Sequence, residues 1–192
     1  NFGVDAIREM NRLGILIDLS HVGPKSTIEA IQLSDKPVSC THANAKSYFD
    51  VPRNKTDEAL KLLAEKGGVV GATPITTFLR TGQRSTLEDY IDAVEHMIEL
   101  VGVDHVGVGT DFAQEQPRKF WEYISSQQGT KYPARYIDPS VRYEDAPPYP
   151  KGLETPDKMP GIAPALAHRG YSGIDISKII GGNWLRLFEE VW

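Results

Sequence analysis

Two histidines and one aspartate each follow a short apolar run of the sequence. His21 follows "ILIDLS", His42 follows "KPVSCT", and Asp111 follows "HVGVGT". If these runs are neighbouring parallel strands, their ends meet at one sheet edge with about 4.8 Å between strands. Two histidines there can share one metal ion that lies about 2.0–2.1 Å from each ring nitrogen. The alternative, that each histidine is only a hydrogen-bonded residue at a strand end, stays open on spacing alone.

Two histidines do not complete a catalytic zinc site, which needs three protein ligands and an open position. Asp18 is not expected to supply the third, because strand alternation places its side chain away from His21. We expect a structural role for it instead. The other histidines are expected to be solvated or structural: His96, His105 and His168.

The elements that must position these residues alternate along the chain. Near-continuous apolar runs predict four parallel strands that are buried on both faces, at 15–20, 37–41, 68–73 and 105–110. Amphipathic spacing and end signals predict the helices: 1–13, 25–34, 57–66, 86–101, 160–169, 174–180 and 184–191. This order predicts right-handed strand–helix units around a parallel sheet.

Several side chains are expected to fix the helix ends. Thr56 is the predicted N-cap of helix 57–66, and Asn183 is the predicted N-cap of the last helix. Ser85 and Glu88 have the spacing of a capping box. Trp184 and Trp192 are expected in the core, on the apolar face of the terminal helix.

The region from 113 to 160 differs from the rest of the chain. Eight of the 13 prolines lie there, together with many aromatic residues. This composition is too aromatic for a disordered linker and too rich in proline for regular elements. We expect an ordered excursion over 113–150 with one short helix near 117–127, within a single domain that spans 1–192.

Composition excludes some partners. A net charge of -5 gives no electrostatic reason to bind nucleic acid or an anionic membrane. No apolar run approaches the roughly 18 residues that a membrane span needs. The single cysteine, Cys40, cannot form an intrachain disulfide, and its apolar surroundings favour a buried hydrophobic role over a reactive thiol.

A set of segments gives the sequence a family resemblance. The segments are "GILIDLSHVG", "KPVSCTHANAKSYFDVPRNKTDEAL", "GGVVGAT", "VGVDHVGVGTDF", "KGLE" and "GGNWLRLFEEVW". Together they resemble the renal (membrane) dipeptidase family of zinc peptidases over almost the whole chain, except for roughly 113–150. The order histidine, arginine, aspartate along the chain is the specific part of this resemblance.

The resemblance implies a (β/α)8 TIM-type barrel with two zinc ions that hydrolyses dipeptides by a metal-activated water. His21 and His42 match the two histidines that bind the second zinc. Arg53 matches the arginine that binds the terminal carboxylate of the small peptide substrate, which suits a bidentate guanidinium. Asp111 matches the acid that transfers a proton to the leaving amine.

The family's other metal ligands come from the first half of the barrel, and they have no counterpart in this sequence. Four predicted strands stand where eight are expected. We therefore expect this chain to form the C-terminal half of the barrel and to need the N-terminal half, or a complementary chain, to complete the zinc centre. The chain by itself is then expected to supply ligands mainly to one of the two zinc ions.

Two departures bear on specificity and leave alternatives open. The family commonly has "DFDG" where this chain has Ala113 and Gln114 after Phe112, and Pro74-Ile75 follow "GGVVGAT" where relatives carry an aromatic residue. A reshaped pocket allows another metal-dependent amidohydrolase, acting on an N-acyl amino acid or a related amide. A third possibility is a non-catalytic half-barrel interaction module whose exposed sheet edges pair with another chain, including a second copy of itself.

Overall fold

The computed structural model describes residues 2–113 and 149–192. In this part of the chain the α-helices are α1 (Phe2–Leu13), α2 (Pro24–Leu33), α3 (Asp57–Glu65), α4 (Leu87–Val101), α5 (Ile162–His168), α6 (Gly173–Ser177) and α7 (Asn183–Val191). The strands are β1 (Ser39–Cys40), β2 (Val69–Ala72) and β3 (Val106–Val108). The helix predicted near 117–127 lies outside the described residues.

The strands form one parallel sheet in the order β1-β2-β3. Ser39 pairs with Val69, and Val70 pairs with Val106, so the three strands run in step toward one edge. Helices separate consecutive strands, and the strand residues are almost all buried. The predicted α/β class with a parallel sheet is confirmed.

The first predicted strand, 15–20, is much shorter than expected. It joins β1 through a single parallel bridge between Asp18 and Ser39. The Leu19 N–H donates to the Ser39 carbonyl at 2.8 Å, and the Ser39 N–H donates to the Ile17 carbonyl at 2.9 Å. Because β1 has only two residues, it offers backbone groups for little more pairing. Within residues 2–113 and 149–192 the sheet therefore has three strands and an edge bridge rather than four strands.

The core lies between the sheet and the helices that cover it. Leu60 and Leu63 of α3 and Tyr90 and Val94 of α4 are fully buried in it. Cys40 is also buried, at 1% exposure, and burial raises the pKa of its thiol to about 12, which confirms its expected role as a hydrophobic residue. None of the helices in the two described ranges combines the length and apolar character that a bilayer crossing requires.

The helix ends agree with the sequence in one case and differ in two. Thr56 caps α3, since its hydroxyl accepts a hydrogen bond from the Ala59 N–H at 3.3 Å. The predicted box of Ser85 with Glu88 is wrong by one residue: the Asp89 carboxylate accepts from both the N–H and the hydroxyl of Thr86, each at 2.7 Å. The Ser85 hydroxyl instead donates to the Gly82 carbonyl in the turn before the helix.

Asn183 is the first residue of α7 and not its N-cap. The segment Lys178–Gly182 before it is kinked at Gly181, whose backbone is not helical, but Gly182 already has helical φ and ψ and takes the position before the helix. Its buried side-chain amide donates to the carbonyls of Val103 and Val106, both at 2.7 Å, and so ties α7 to the start of β3. Trp192, at 78% exposure, lies outside the core that the sequence predicts for it.

Replacing Asn183 with Ala is expected to lower the free energy of unfolding by about 2 kcal/mol, because two carbonyls near the core lose their donor. Chemical denaturation of the full-length protein measures this loss. Leu185→Ala on the exposed side of the same helix is the matched control, with a change within about 0.5 kcal/mol. Equal stability of the two variants would contradict the structural role of the amide.

Candidate metal site

The four residues singled out by the sequence lie around the carboxyl edge of the sheet. His21 and His42 follow the bridge at Asp18 and strand β1, and Asp111 lies three residues beyond β3. Arg53 lies in the connection between β1 and α3. This connection folds back on itself through a bridge between Ala45 and Lys55, which returns Arg53 toward the strand ends.

The two histidine rings face each other across neighbouring strand ends. Their Nε2 atoms are 2.8 Å apart, and the ring centroids are 4.9 Å apart at a tilt of 58°. The Asp111 carboxylate oxygen Oδ2 lies 3.8 Å from His42 Nε2. The structure thus brings His21, His42 and Asp111 together at one edge of the sheet.

Arg53 extends over the same point. Its guanidinium donates to the Ser20 carbonyl, and Nη2 lies 3.3 Å from His21 Nε2. The Cζ atom stands 5.5 Å from the centroid of the Phe78 ring, which supports the cation from below. Sequence reasoning did not select Phe78. Its position shortly after β2, at the same sheet edge as the histidines, is the sequence feature that could have indicated Phe78 as a site residue.

Asp111 has a left-handed backbone, with φ 51°. Aspartate tolerates this conformation better than most residues. The Tyr149 hydroxyl donates to the Asp111 carbonyl at 2.7 Å and accepts from the Ala113 N–H at 2.8 Å. The Tyr149 ring packs edge-on against Phe112 with centroids 4.7 Å apart. Tyr149 therefore holds the turn that presents Asp111, a role the sequence did not indicate.

The electrostatics of the site favour neutral imidazoles. Burial lowers the pKa of His21, and the nearby Arg53 charge lowers it further. Burial also lowers the pKa of His42, and Arg53 adds to this effect, while the Asp111 carboxylate opposes it. A neutral imidazole keeps the lone pair that a metal ion requires.

Two polar groups stabilise the backbone behind the histidines. The buried ammonium of Lys55 donates to the carbonyls of Leu19 and Val22, on either side of His21. The Asp18 carboxylate accepts hydrogen bonds from Ser20 and Thr41 and so joins the two strand ends. Asp18 has the structural role that the sequence predicts, but it also reaches His42 through Thr41. Lys55 was not selected from the sequence.

The remaining histidines have other partners. His105 Nδ1 donates to the Gly68 carbonyl at 2.9 Å, at the amino end of β3. His96 Nε2 lies 2.7 Å from the Ser47 hydroxyl on the outer surface. His168 is exposed at the end of α5. These positions agree with the structural or solvated roles expected for all three.

The residues at this edge fit a metal ion as part of its ligand set. Two ligands of one tetrahedral ion stand about 3.3 Å apart when each bond is about 2.05 Å, so the two Nε2 atoms, which are 2.8 Å apart, would have to separate by about 0.5 Å to share an ion. Within residues 2–113 and 149–192, however, no cluster of three or more His, Cys, Asp or Glu side chains could hold a metal ion. The described residues therefore offer two imidazoles that could bind a metal ion and not a complete centre.

Comparison with known proteins places these features in a family. The family model described as membrane dipeptidase (Peptidase family M19) matches residues 1–131. The chain is 30% identical over 190 residues to the dipeptidase tcpJ of Claviceps purpurea, and the match covers 98% of this chain and 37% of that protein.

Solved structures agree with this match. An amidohydrolase from Pseudomonas aeruginosa superposes with a TM-score of 0.89 at 38% identity, covering 100% of this chain and 57% of that one. A metallopeptidase from Rhodobacter sphaeroides, liganded with a phosphinate mimic of the dipeptide L-Ala-D-Ala, gives 0.77 at 29% identity, covering 99% and 46%. The chain thus spans less than two thirds of each of these proteins, and it belongs to the membrane dipeptidase family, peptidase family M19.

Proposed function

We propose that the protein containing this chain is a zinc-dependent dipeptidase in which His21 and His42 bind one of two zinc ions. The observation that carries the proposal is the convergence of the two Nε2 atoms, 2.8 Å apart, beside Asp111 and Arg53. Dipeptidases among the relatives and a neighbour liganded with a dipeptide mimic support the substrate class. When bound, zinc would lower the pKa of a water molecule and polarise the scissile carbonyl.

The chain's own side chains supply the other functions. Arg53 binds the terminal carboxylate of the peptide through its planar guanidinium, which Phe78 supports from one side. The Asp111 carboxylate, beside the histidines, takes up a proton from the attacking water and delivers it to the amide nitrogen as the bond breaks. Tyr149 keeps Asp111 in position through its two hydrogen bonds.

The remaining metal ligands are proposed to come from the N-terminal half of the same (β/α)8 barrel, or from a complementary chain. This proposal is supported by the short sheet and by the share of the relatives that the chain covers. The chain by itself is then inactive. Dipeptide hydrolysis by the isolated 192-residue chain as a monomer would contradict the requirement for the other half.

A second candidate is an amidohydrolase that acts on an N-acyl amino acid or a related amide. It is favoured by the neighbour at 38% identity, which is described as an amidohydrolase. A panel of L,L- and L,D-dipeptides and acylated amino acids, assayed with the full-length protein, separates the two candidates by their kcat/KM values.

Replacing His42 with Ala is expected to remove one zinc ion and to lower kcat/KM for dipeptides by more than about 100-fold. Loss of a hydrogen-bond partner of a metal ligand typically lowers activity by about 10–100-fold, and loss of the ligand itself is expected to lower it further. Mass spectrometry measures the loss of zinc, and initial rates measure the fall in kcat/KM. His168→Ala, an exposed histidine at the end of α5, is the matched control and retains both. Full zinc content in the His42 variant would contradict the proposed ligand.

A further inference from the structure

Asp18, Ser20 and Thr41 form a hydrogen-bond network directly behind His42. The Asp18 oxygen Oδ1 accepts from the Ser20 N–H at 3.0 Å, the Ser20 hydroxyl at 2.6 Å and the Thr41 N–H at 2.9 Å. The other oxygen, Oδ2, accepts from the Thr41 hydroxyl at 2.8 Å. The Ser20 hydroxyl accepts in turn from the His42 backbone N–H at 3.0 Å. The network therefore joins both strand ends to His42.

The network also fixes the direction of the hydrogen bond to the His42 ring. The Thr41 hydroxyl lies 2.9 Å from His42 Nδ1. A hydroxyl has one hydrogen, and here an ionised carboxylate competes for it with a neutral ring nitrogen. The bond to the carboxylate is the stronger one. The Thr41 oxygen therefore accepts from Nδ1–H, and Nε2 of His42 carries the lone pair.

Asp18 is held in the ionised form that this direction requires. Partial burial opposes ionisation, but the hydrogen bonds from Ser20 and Thr41 outweigh it and keep the pKa of Asp18 below its ordinary value. An ionised carboxylate can only accept hydrogen bonds, so each neighbouring hydroxyl must turn its hydrogen toward Asp18.

His21 presents the same kind of group to the site. The guanidinium of Arg53 can only donate, so the contact of 3.3 Å places a lone pair on His21 Nε2. Two lone pairs then converge on one point from His21 and His42. Their separation of 2.8 Å is a hydrogen-bond distance, and because in this arrangement neither ring supplies the hydrogen, a shared cation would take its place between the two atoms.

We propose that Asp18 is a positioning residue, which acts through the Thr41 hydroxyl to hold His42 in the Nδ1–H tautomer, with Nε2 free to bind the metal. The effect on metal binding rests on the function proposed above, whereas the tautomer itself does not. Hydrogen bonds of this kind to the outer nitrogen of a ligating histidine orient the ring and strengthen the ligand.

Substitution of Asp18 by Asn tests the direction of the network. An amide oxygen can replace Oδ1, but the NH2 group would then stand at the position of Oδ2 and donate to the Thr41 oxygen. The Thr41 hydroxyl would turn its hydrogen to His42 Nδ1, and the ring would move its own proton to Nε2. Thr41→Val removes the hydroxyl at nearly constant shape, and Thr41→Ser restores it.

The experiment uses full-length protein with 15N-labelled histidine, freed of metal and then titrated with zinc alone. In the wild type and in Thr41→Ser, the His42 ring signals are expected to show protonated Nδ1 and unprotonated Nε2. Asp18→Asn and Thr41→Val are expected to shift them toward protonated Nε2 and to weaken zinc binding by about 10–100-fold. Thermal unfolding monitors whether each variant is folded.

The outcomes separate this inference from the proposed function. Unchanged His42 ring signals in Asp18→Asn and Thr41→Val would overturn the positioning role, whatever the zinc affinity. If the ring signals change as expected but His42→Ala binds zinc as tightly as the wild type, the network stands and the proposed zinc site fails. If Asp18→Asn does not fold, the comparison of Thr41→Val with Thr41→Ser decides the question by the same signals.

Discussion

Replacing Asp111 with Asn is expected to lower kcat for dipeptide hydrolysis by about 10²–10⁴-fold, with little change in KM. The amide cannot take up the proton of the attacking water or deliver it to the leaving nitrogen, so the rate of the chemical step falls while substrate binding stays the same. The zinc bound by His21 and His42 is expected to stay at the wild-type level, because the substitution leaves both imidazoles in place. Steady-state kinetics and metal analysis of the full-length protein give both readouts.

This substitution changes the charge of Asp111 and leaves its backbone unchanged. Asparagine tolerates the left-handed conformation at φ 51° as well as aspartate does. The two hydrogen bonds of the Tyr149 hydroxyl are made to backbone atoms of residues 111 and 113, so the substitution retains them. Asp50→Asn, at an exposed carboxylate that faces Lys46, is the control. A wild-type kcat in the Asp111 variant with full zinc content would assign the proton transfer to another group.

The sequence predicted the helices of the described residues well and the strand lengths poorly. Helix signals are local: Thr56 and the acidic residues after it lie within one turn of each other, so the start of α3 was predictable. Strand length depends on the neighbour. The run 15–20 has the composition of a buried strand, yet β1 offers it one bridge, because pairing is decided by residues far away in sequence.

The misplaced helix residues show the same dependence on tertiary contacts. Asn183 has the residue type of an N-cap, but its side chain donates to the carbonyls of Val103 and Val106, and Gly182 takes the N-cap position instead. Trp192 has an apolar side chain at helical spacing, but spacing does not say whether another element covers the chain terminus.

The candidate site was predictable where it depended on strand ends alone. His21, His42 and Asp111 follow runs that become neighbours in a parallel sheet, and the structure brings them together at one edge. Strand alternation predicts that the side chain of Asp18 points away from His21, but the alternation ceases to apply because the chain turns just after the bridge at Asp18. Tyr149 comes from 38 positions further along the chain, and no local pattern links it to Asp111.

Replacing Gly71 with Ala is expected to lower the free energy of unfolding by about 3 kcal/mol. A Cβ atom at this position of β2 would stand 2.1 Å from the Thr41 carbonyl oxygen and 2.9 Å from Cα of Gly109. Both neighbours are backbone atoms in a buried sheet, so no change of rotamer can relieve the overlap. The strand that carries Thr41 and His42 must move instead. Chemical denaturation of the full-length protein measures the loss.

The same movement connects stability to the site. Thr41 holds the His42 ring through its hydroxyl, so a shift of its backbone is expected to weaken zinc binding as well as folding. Gly173→Ala is the matched control, since a Cβ there meets nothing within 4 Å and the residue opens helix α6. Its stability and zinc affinity should match the wild type. If Gly71→Ala were as stable as Gly173→Ala, the three strand ends would tolerate separation. The close approach of Gly71 to Thr41 would then not be what holds His42 in place.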